Sequence, residues 1–349
     1  MERRNNFDTL RLLAATAVIF SHAFLLATGR QDGEPLMVLT GGQTILGVVG
    51  VFVFFVISGY LVTQSWESAP SLSRFAVKRA LRIYPGLAAC ILVLTFGLGP
   101  VISSLPLGDY LSSYGTYDFL VANLLLHTDH NSLPGVWFTS RDLGHILDGP
   151  LWSLPVEVAM YVMVAVLGTT RLLRLPVLWA LTGVGLLAIV LDASNWHDWD
   201  FTGSVLWLLA FFVVGMLLQQ WPRERVLDGR LALLALLGLT ASVPFHAFIL
   251  MFPLCGGYLV IYLALNPSLP VLSAARFGDL SYGLYIYGWP VEQTVLYLRP
   301  DATWWELFLV AYPATAVVAF LSWHLVEKRA LRLKPRVLAT AAHPAPAAA

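Results

Sequence analysis

The sequence predicts an all-α, polytopic membrane protein of about ten transmembrane helices with one short re-entrant or interfacial segment. Three observations carry that prediction. Hydrophobic residues make up 58% of the chain and charged residues 12%, with a mean hydropathy of +0.72, which leaves too little polar surface to coat a water-soluble globule. Stretches of about 18 to 22 residues are almost free of charge, the length that crosses about 30 Å of hydrocarbon. The basic residues collect in the connectors between those stretches, as cytoplasmic loops require.

Taken in order, the apolar runs place helices near residues 8–28, 43–64, 83–104, 150–169, 174–192, 201–219, 229–244, 247–265, 280–298 and 306–326. The first follows Met1-Glu2-Arg3-Arg4, has full spanning length and shows no small-residue cleavage site, so it reads as a retained helix rather than a signal peptide. Thr116 to His127 is too short to span and reads as the interfacial or re-entrant piece.

Charge fixes the orientation. With Arg3 and Arg4 in the cytoplasm, the connectors bearing Arg74, Lys78, Arg79 and Arg82, then Arg171 and Arg174, then Arg223, Arg225 and Arg230, then Arg276 all fall inside. So does the tail with Lys328, Arg329, Arg332, Lys334 and Arg336. The acidic segment from Asp192 to Asp200 falls outside, with Arg141 and Arg299 as the external basic exceptions. A crossing by Thr116 to His127 would reverse every later basic connector. Both termini are therefore expected in the cytoplasm, and the chain divides into a transmembrane domain over 1–336 and a disordered cytoplasmic tail over 337–349, rich in Ala and Pro.

The formal net charge is zero, so no global basic field points to nucleic acid. Cys90 and Cys255 both fall inside apolar runs and read as packing residues rather than a disulfide or metal ligands.

Ionisable groups inside spans cost about 2.5 to 3.5 kcal/mol on insertion scales, so each is a functional candidate. Arg11 and His22 are eleven residues apart in the first helix, which returns them to within about 20° of one face and about 16 Å apart along the axis. Asp8, one turn before Arg11, is a partner for it. A snorkelling arginine with a hydrogen-bonded core histidine fits this spacing as well as a catalytic pair does. Ser58-Gly59 in the second helix permits close helix approach and offers a hydroxyl. Arg79 and Arg82 are three apart in a short cytoplasmic helix, a spacing that grips a polyanion and equally suits an anchor on anionic lipid headgroups.

In the fourth span Glu157 follows Pro155 and could pair with His22 and fix its tautomer, or form a structural ion pair. Glu292, Glu327 and His324 lie nearer span ends and read as solvated or snorkelled. His127, Asp129, His130, Arg141, Asp142, His145 and Asp148 match no strong metal-ligand spacing and read as a polar acceptor-binding loop.

Taken together and in order, these pieces resemble the acyltransferase-3 family of bacterial integral membrane O-acyltransferases over about residues 7 to 330. Phe7-Asp8, Leu10-Arg11 and then His22 are similar to the family's arginine, ten residues, histidine signature. Phe54-Phe55-x-Ile57-Ser58-Gly59-Tyr60-Leu61, Arg79-x-x-Arg82-Ile83-Tyr84-Pro85, Trp152-Ser153-Leu154 with Glu157, and Ser281-Tyr282-Gly283-Leu284-Tyr285 are similar to its later motifs.

The resemblance implies an acyl-CoA donor, often acetyl-CoA, no metal, and a carbohydrate acceptor such as O-antigen, exopolysaccharide, peptidoglycan or a macrolide-like glycoside. It implies catalytic roles for His22 and Arg11, to which Glu157 is added as orienting group. Arg79, Arg82, Tyr84 and Ser58 are assigned to the donor, and Trp152, Ser153 and Tyr285 to the acceptor. It also implies a multi-pass protein of the bacterial inner membrane. The chain departs from many relatives in carrying Gly288, before Trp289-Pro290, where they have a histidine. His22 could act as a general base or carry the acyl group as an acyl-imidazole. The rival functions are a transporter or flippase of a lipid-linked sugar, and a non-catalytic scaffold.

Overall fold

The structure is a computed structural model that describes residues 5–139, 143–191, 201–269 and 278–333. Helices occupy all ten predicted positions, making an all-α, multi-pass membrane protein. They are α1 (Phe7–Thr28), α2 (Leu46–Ser68), α3 (Leu72–Val93), α5 (Ser153–Thr169), α6 (Leu175–Leu191), α7 (Phe201–Gln220), α8 (Gly229–Ser242), α9 (Gly257–Leu265), α10 (Ser281–Leu298) and α11 (Trp304–Ser322), with the short α4 (Tyr114–Leu124) between α3 and α5. Among the described residues, six helical stretches are long and apolar enough to cross a membrane: Phe7–Thr28, Leu46–Ser68, Leu72–Ile102, Gly149–Thr169, Phe248–Leu265 and Trp304–Arg332.

One expectation is corrected by the third of these stretches. Arg79 and Arg82 do not sit on a separate connector helix, because α3 runs on through a π turn at Leu94–Leu98 to Ile102 as one helix of 31 residues. The segment from Leu72 to Arg82 extends the span by about three turns. The π turn has a local cause. A π-type bond from the Thr95 carbonyl would need an N–H on Pro100, which has none; the Tyr110 hydroxyl donates to that carbonyl instead, at 2.7 Å.

The eleven residues of α4 reach only about 16 Å at 1.5 Å per residue, half the hydrocarbon thickness. The charged residues from His127 to Asp148 do not gather into one site among the described residues: His130 pairs with Asp118, whereas Asp148 is fully buried. The acidic segment to Asp200, Arg141, Asp142, Arg276 and the tail beyond residue 333 lie outside the described residues.

Between helices in lipid, close approach and hydrogen bonds hold the bundle more than hydrophobic burial does. The α2–α7 seam illustrates it. A Cβ on Gly59 would lie 1.9 Å from the Phe212 carbonyl oxygen, and one on Gly215 would lie 2.1 Å from the Val56 carbonyl oxygen. The α1–α2 hairpin is tied by a buried carboxylate: Glu34 accepts from Ser21 Oγ at 3.1 Å and from the backbone N–H groups of Leu36, Met37 and Leu46 at 2.8 to 3.0 Å. Ser21 Oγ in turn accepts from Gly47 N–H at 2.7 Å. These bonds fix the part of α1 that presents His22.

Candidate active site

Helices α1, α2, α3, α5 and α10 converge on a cavity of about 290 Å³. Its basic lining residues are Arg11, Lys78, Arg79 and Arg82, and its carboxylates are Glu157 and Asp279, an excess of two positive charges. Such a lining attracts a polyanion.

The cations differ in how they are held. Arg82 donates to Asp279 at 2.8 Å, and Arg11 lies 3.9 Å from the same oxygen while also pairing with Asp8. Burial pushes the Asp279 carboxyl up, but the charges of Arg82 and then Arg11 outweigh it and hold the group at about 2. Arg79 instead lies over the rings of Tyr161 and Phe75, at 5.5 and 5.8 Å. Its Nε is buried without a hydrogen-bond partner, and no carboxylate reaches it among the described residues. Of the three arginines, Arg79 has its charge left for a ligand.

Across the cavity, Ser153 Oγ and Tyr285 OH are 2.6 Å apart. Glu157 accepts from Ser58 Oγ at 3.2 Å and from Tyr161 OH at 2.5 Å. Ser58, Ser153, Glu157 and Tyr285 therefore meet Arg11, Arg79 and Arg82 in one place, although they come from five helices. Tyr84 does not join them: it is 42% exposed and lines a lateral apolar groove between α3 and α5. Trp152 packs against the core beside the cavity and is not part of its lining.

His22 lies beyond the cavity lining, further along α1 from Arg11. It faces α10, where its ring meets Trp289 edge-on at 4.9 Å between centroids and its Nδ1 lies 3.7 Å from Glu292 Oε2. On α10, Tyr282 and Tyr285 line the cavity while Trp289 and Glu292 meet His22, positions i, i+3, i+7 and i+10 of a helical face. The two groups of residues thus lie at successive levels of the same α1–α10 pair, separated by an apolar contact of Ala15 and Ile19 with Leu284.

This geometry overturns two expectations. Glu157 is not the partner of His22, because its contacts are Ser58 and Tyr161. Glu292 and Glu327 are not solvated span ends: they are 0% and 3% exposed. The loop before α5 folds over α10, with Trp289 Nε1 donating to the Ile146 carbonyl and Gln293 Nε2 to the Leu143 carbonyl, each at 3.0 Å. Ser322 Oγ donates to Glu327 at 2.9 Å. Asp279 is not among the sequence candidates; its one sequence signal is a carboxylate two residues before the Ser281-Tyr282-Gly283 motif.

Two further details explain local sequence choices. A Cβ on Gly288 would lie 2.8 Å from Ile19 Cγ1, so the close α1–α10 approach leaves little room for a side chain there. Pro290 supplies no N–H to the Ile286 carbonyl, and Cys90 Sγ donates to it at 3.6 Å. Cys90 and Cys255 are both free thiols.

A multi-pass helical membrane protein with a cationic cavity and a half-buried histidine beside it is the class that fold and site define. The profile of the acyltransferase domain family matches residues 4–324, and the chain belongs to that family. It is 29% identical over 352 residues to the O-acetyl transferase of Shigella phage Sf6, covering 97% of this chain and 99% of the relative. It is 28% identical over 371 residues to nodulation protein 10 of Rhizobium leguminosarum bv. viciae, covering 96% and 95%. It is 24% identical over 387 residues to the peptidoglycan O-acetyltransferase OatA of Listeria monocytogenes, covering 92% of this chain and 55% of that protein. No solved structure matches it.

Proposed function

We propose that this protein transfers an acyl group, acetyl by default, from acyl-CoA to a hydroxyl of an extracytoplasmic carbohydrate. It works in the bacterial inner membrane with both termini in the cytoplasm. The observation that carries the reading is the pairing of a cationic cavity with His22 along the same two helices, α1 and α10. The names of the O-acetyltransferase relatives supply the acetyl group and, for one of them, a glycan acceptor.

In this reading Arg79 and Lys78 hold the phosphates of the donor at the cytoplasmic mouth, and Arg82, fixed by Asp279, shapes the wall beside them. Ser153 and Tyr285 orient the polar groups that pass between the cavity and His22. The imidazole takes the proton of the sugar hydroxyl while that oxygen bonds to the thioester carbonyl carbon. The carbon–sulfur bond then breaks, and the thiolate leaves with the proton returned by His22. The products are a sugar ester and free CoA.

The test is to reconstitute the protein in nanodiscs with radiolabelled acetyl-CoA and candidate glycans, following free thiol and label together. Thiol release with labelled sugar is the expected result. Movement of a lipid-linked glycan across proteoliposomes with no bond change would establish a flippase and overturn the proposal.

A further inference from the structure

His22 needs a partner at Nδ1 if Nε2 is to act as a base, because an imidazole free to change tautomer presents the wrong nitrogen part of the time. The sequence offers Glu157, and the geometry withdraws it. On α10 the carboxyl of Glu292 is fully enclosed, and its Oε2 is 3.7 Å from His22 Nδ1.

Three buried polar atoms at this spot have no hydrogen-bond partner: His22 Nδ1 and both carboxyl oxygens of Glu292. A buried carboxyl group without a partner is costly in any fold, and a membrane interior makes it more so. Trp289 meets the imidazole edge-on, and its own ring is held by the bond from Nε1 to the Ile146 carbonyl. The separation is longer than a hydrogen bond, as catalytic contacts often are before substrate closes the site.

We infer that Glu292 is the positioning residue for His22: its carboxylate accepts a hydrogen bond from Nδ1–H, turns Nε2 toward the acceptor hydroxyl, and balances the imidazolium that forms when that hydroxyl is deprotonated. The proton taken by Nε2 goes on to the leaving thiolate, so Glu292 gains and loses none over the cycle. The inference rests on His22 being the base of the proposed acyl transfer.

The experiment uses the full chain in nanodiscs, with 15N-labelled histidine and the His22→Asn variant to assign the His22 signals. Wild type should show Nδ1 protonated and Nε2 bare. Glu292→Ala should mix the tautomers and lower kcat about 100-fold, the range a positioned base supplies, with KM for acetyl-CoA nearly unchanged. Glu292→Gln, which keeps shape and an acceptor oxygen but not the charge, should keep the tautomer and lose roughly tenfold in kcat; it also serves if the alanine variant does not fold. Glu292→Asp should recover part of the rate.

Wild-type kcat in Glu292→Gln and Glu292→Ala, or a His22 tautomer indifferent to both, would overturn the inference while His22→Asn stays inactive. Full activity in His22→Asn would instead remove the reading on which it rests.

Discussion

The carboxylate of Asp279 accepts from Arg82 at 2.8 Å and so joins the start of α10 to α3. The pair stands 197 residues apart in the chain, and it marks Arg82, rather than Arg79, as a structural cation of the cavity. Removing one member of a largely buried ion pair leaves the other charge uncompensated, at a cost of about 3–5 kcal/mol for fully buried pairs and less here, where both side chains keep some solvent contact. Asp279→Asn should therefore lower the thermal midpoint in detergent more than Asp8→Asn, since Asp8 is the more exposed of the two acids around Arg11.

The pH dependence of that difference has a definite sign. Asp279 titrates at about 2 in the fold against an ordinary 3.8, so its contribution is fully present above 3.8 and is lost as pH falls through 2. Thermal midpoints of wild type and Asp279→Asn should stay separated by a constant amount from pH 5 to pH 8 and converge only in strong acid. Convergence near neutral pH would show that the carboxyl is not held by the arginines.

Arg79 and Arg82 should separate in kinetics. A hydrogen bond to a charged group contributes about 1.5–3 kcal/mol, or roughly 10- to 100-fold in affinity. Arg79→Ala is expected to raise KM for acetyl-CoA within that range with a nearly unchanged thermal midpoint, while Arg82→Ala should lower the midpoint as well as the rate. Steady-state kinetics beside a melting curve for each variant decides it.

The α2–α7 seam gives a steric prediction. Gly59→Ala would drive a methyl into the Phe212 carbonyl, and overpacking a tight contact costs about 1–3 kcal/mol or more where backbone must move. Gly183→Ala on α6, where the new methyl meets nothing within 4 Å, should be neutral. The yield of monodisperse folded protein on size exclusion measures both.

His130 offers a surface control. Its Nδ1 lies 2.6 Å from Asp118, and the hydrogen bond to that carboxylate, then its charge, raises the imidazole above the ordinary 6.5. The contribution of the pair is fully present below pH 6.5 and fades as pH rises through the raised value. An NMR titration should find His130 charged beyond pH 6.5 in wild type, with a lower titration midpoint in Asp118→Asn.

The helical scaffold was largely legible, because lipid imposes length and composition on each span and those are local properties. The Arg11–Asp8 pair was legible for the same reason, as it lies within one helical turn. What could not be read was tertiary. Glu157 and Glu292 are alike in sequence, each a carboxylate in an apolar run, and only the packing of α10 on α1 selects the second as the neighbour of His22. Glu292 looked solvated because nothing in its own helix shows that the loop at Leu143 to Ile146 folds over it. Asp279 had no local partner to reveal it. The apolar run begins after the arginine pair and so marks only part of its helix, because backbone hydrogen bonding does not stop where hydropathy changes.

The central claim is that the imidazole of His22 performs the transfer, and purified His22→Ala in nanodiscs with radiolabelled acetyl-CoA and an acceptor glycan tests it most directly. A melting curve like that of wild type, together with transfer reduced by about 100-fold or more, is the result this account predicts. A folded His22→Ala protein that labels the glycan and releases CoA at the wild-type rate would contradict it.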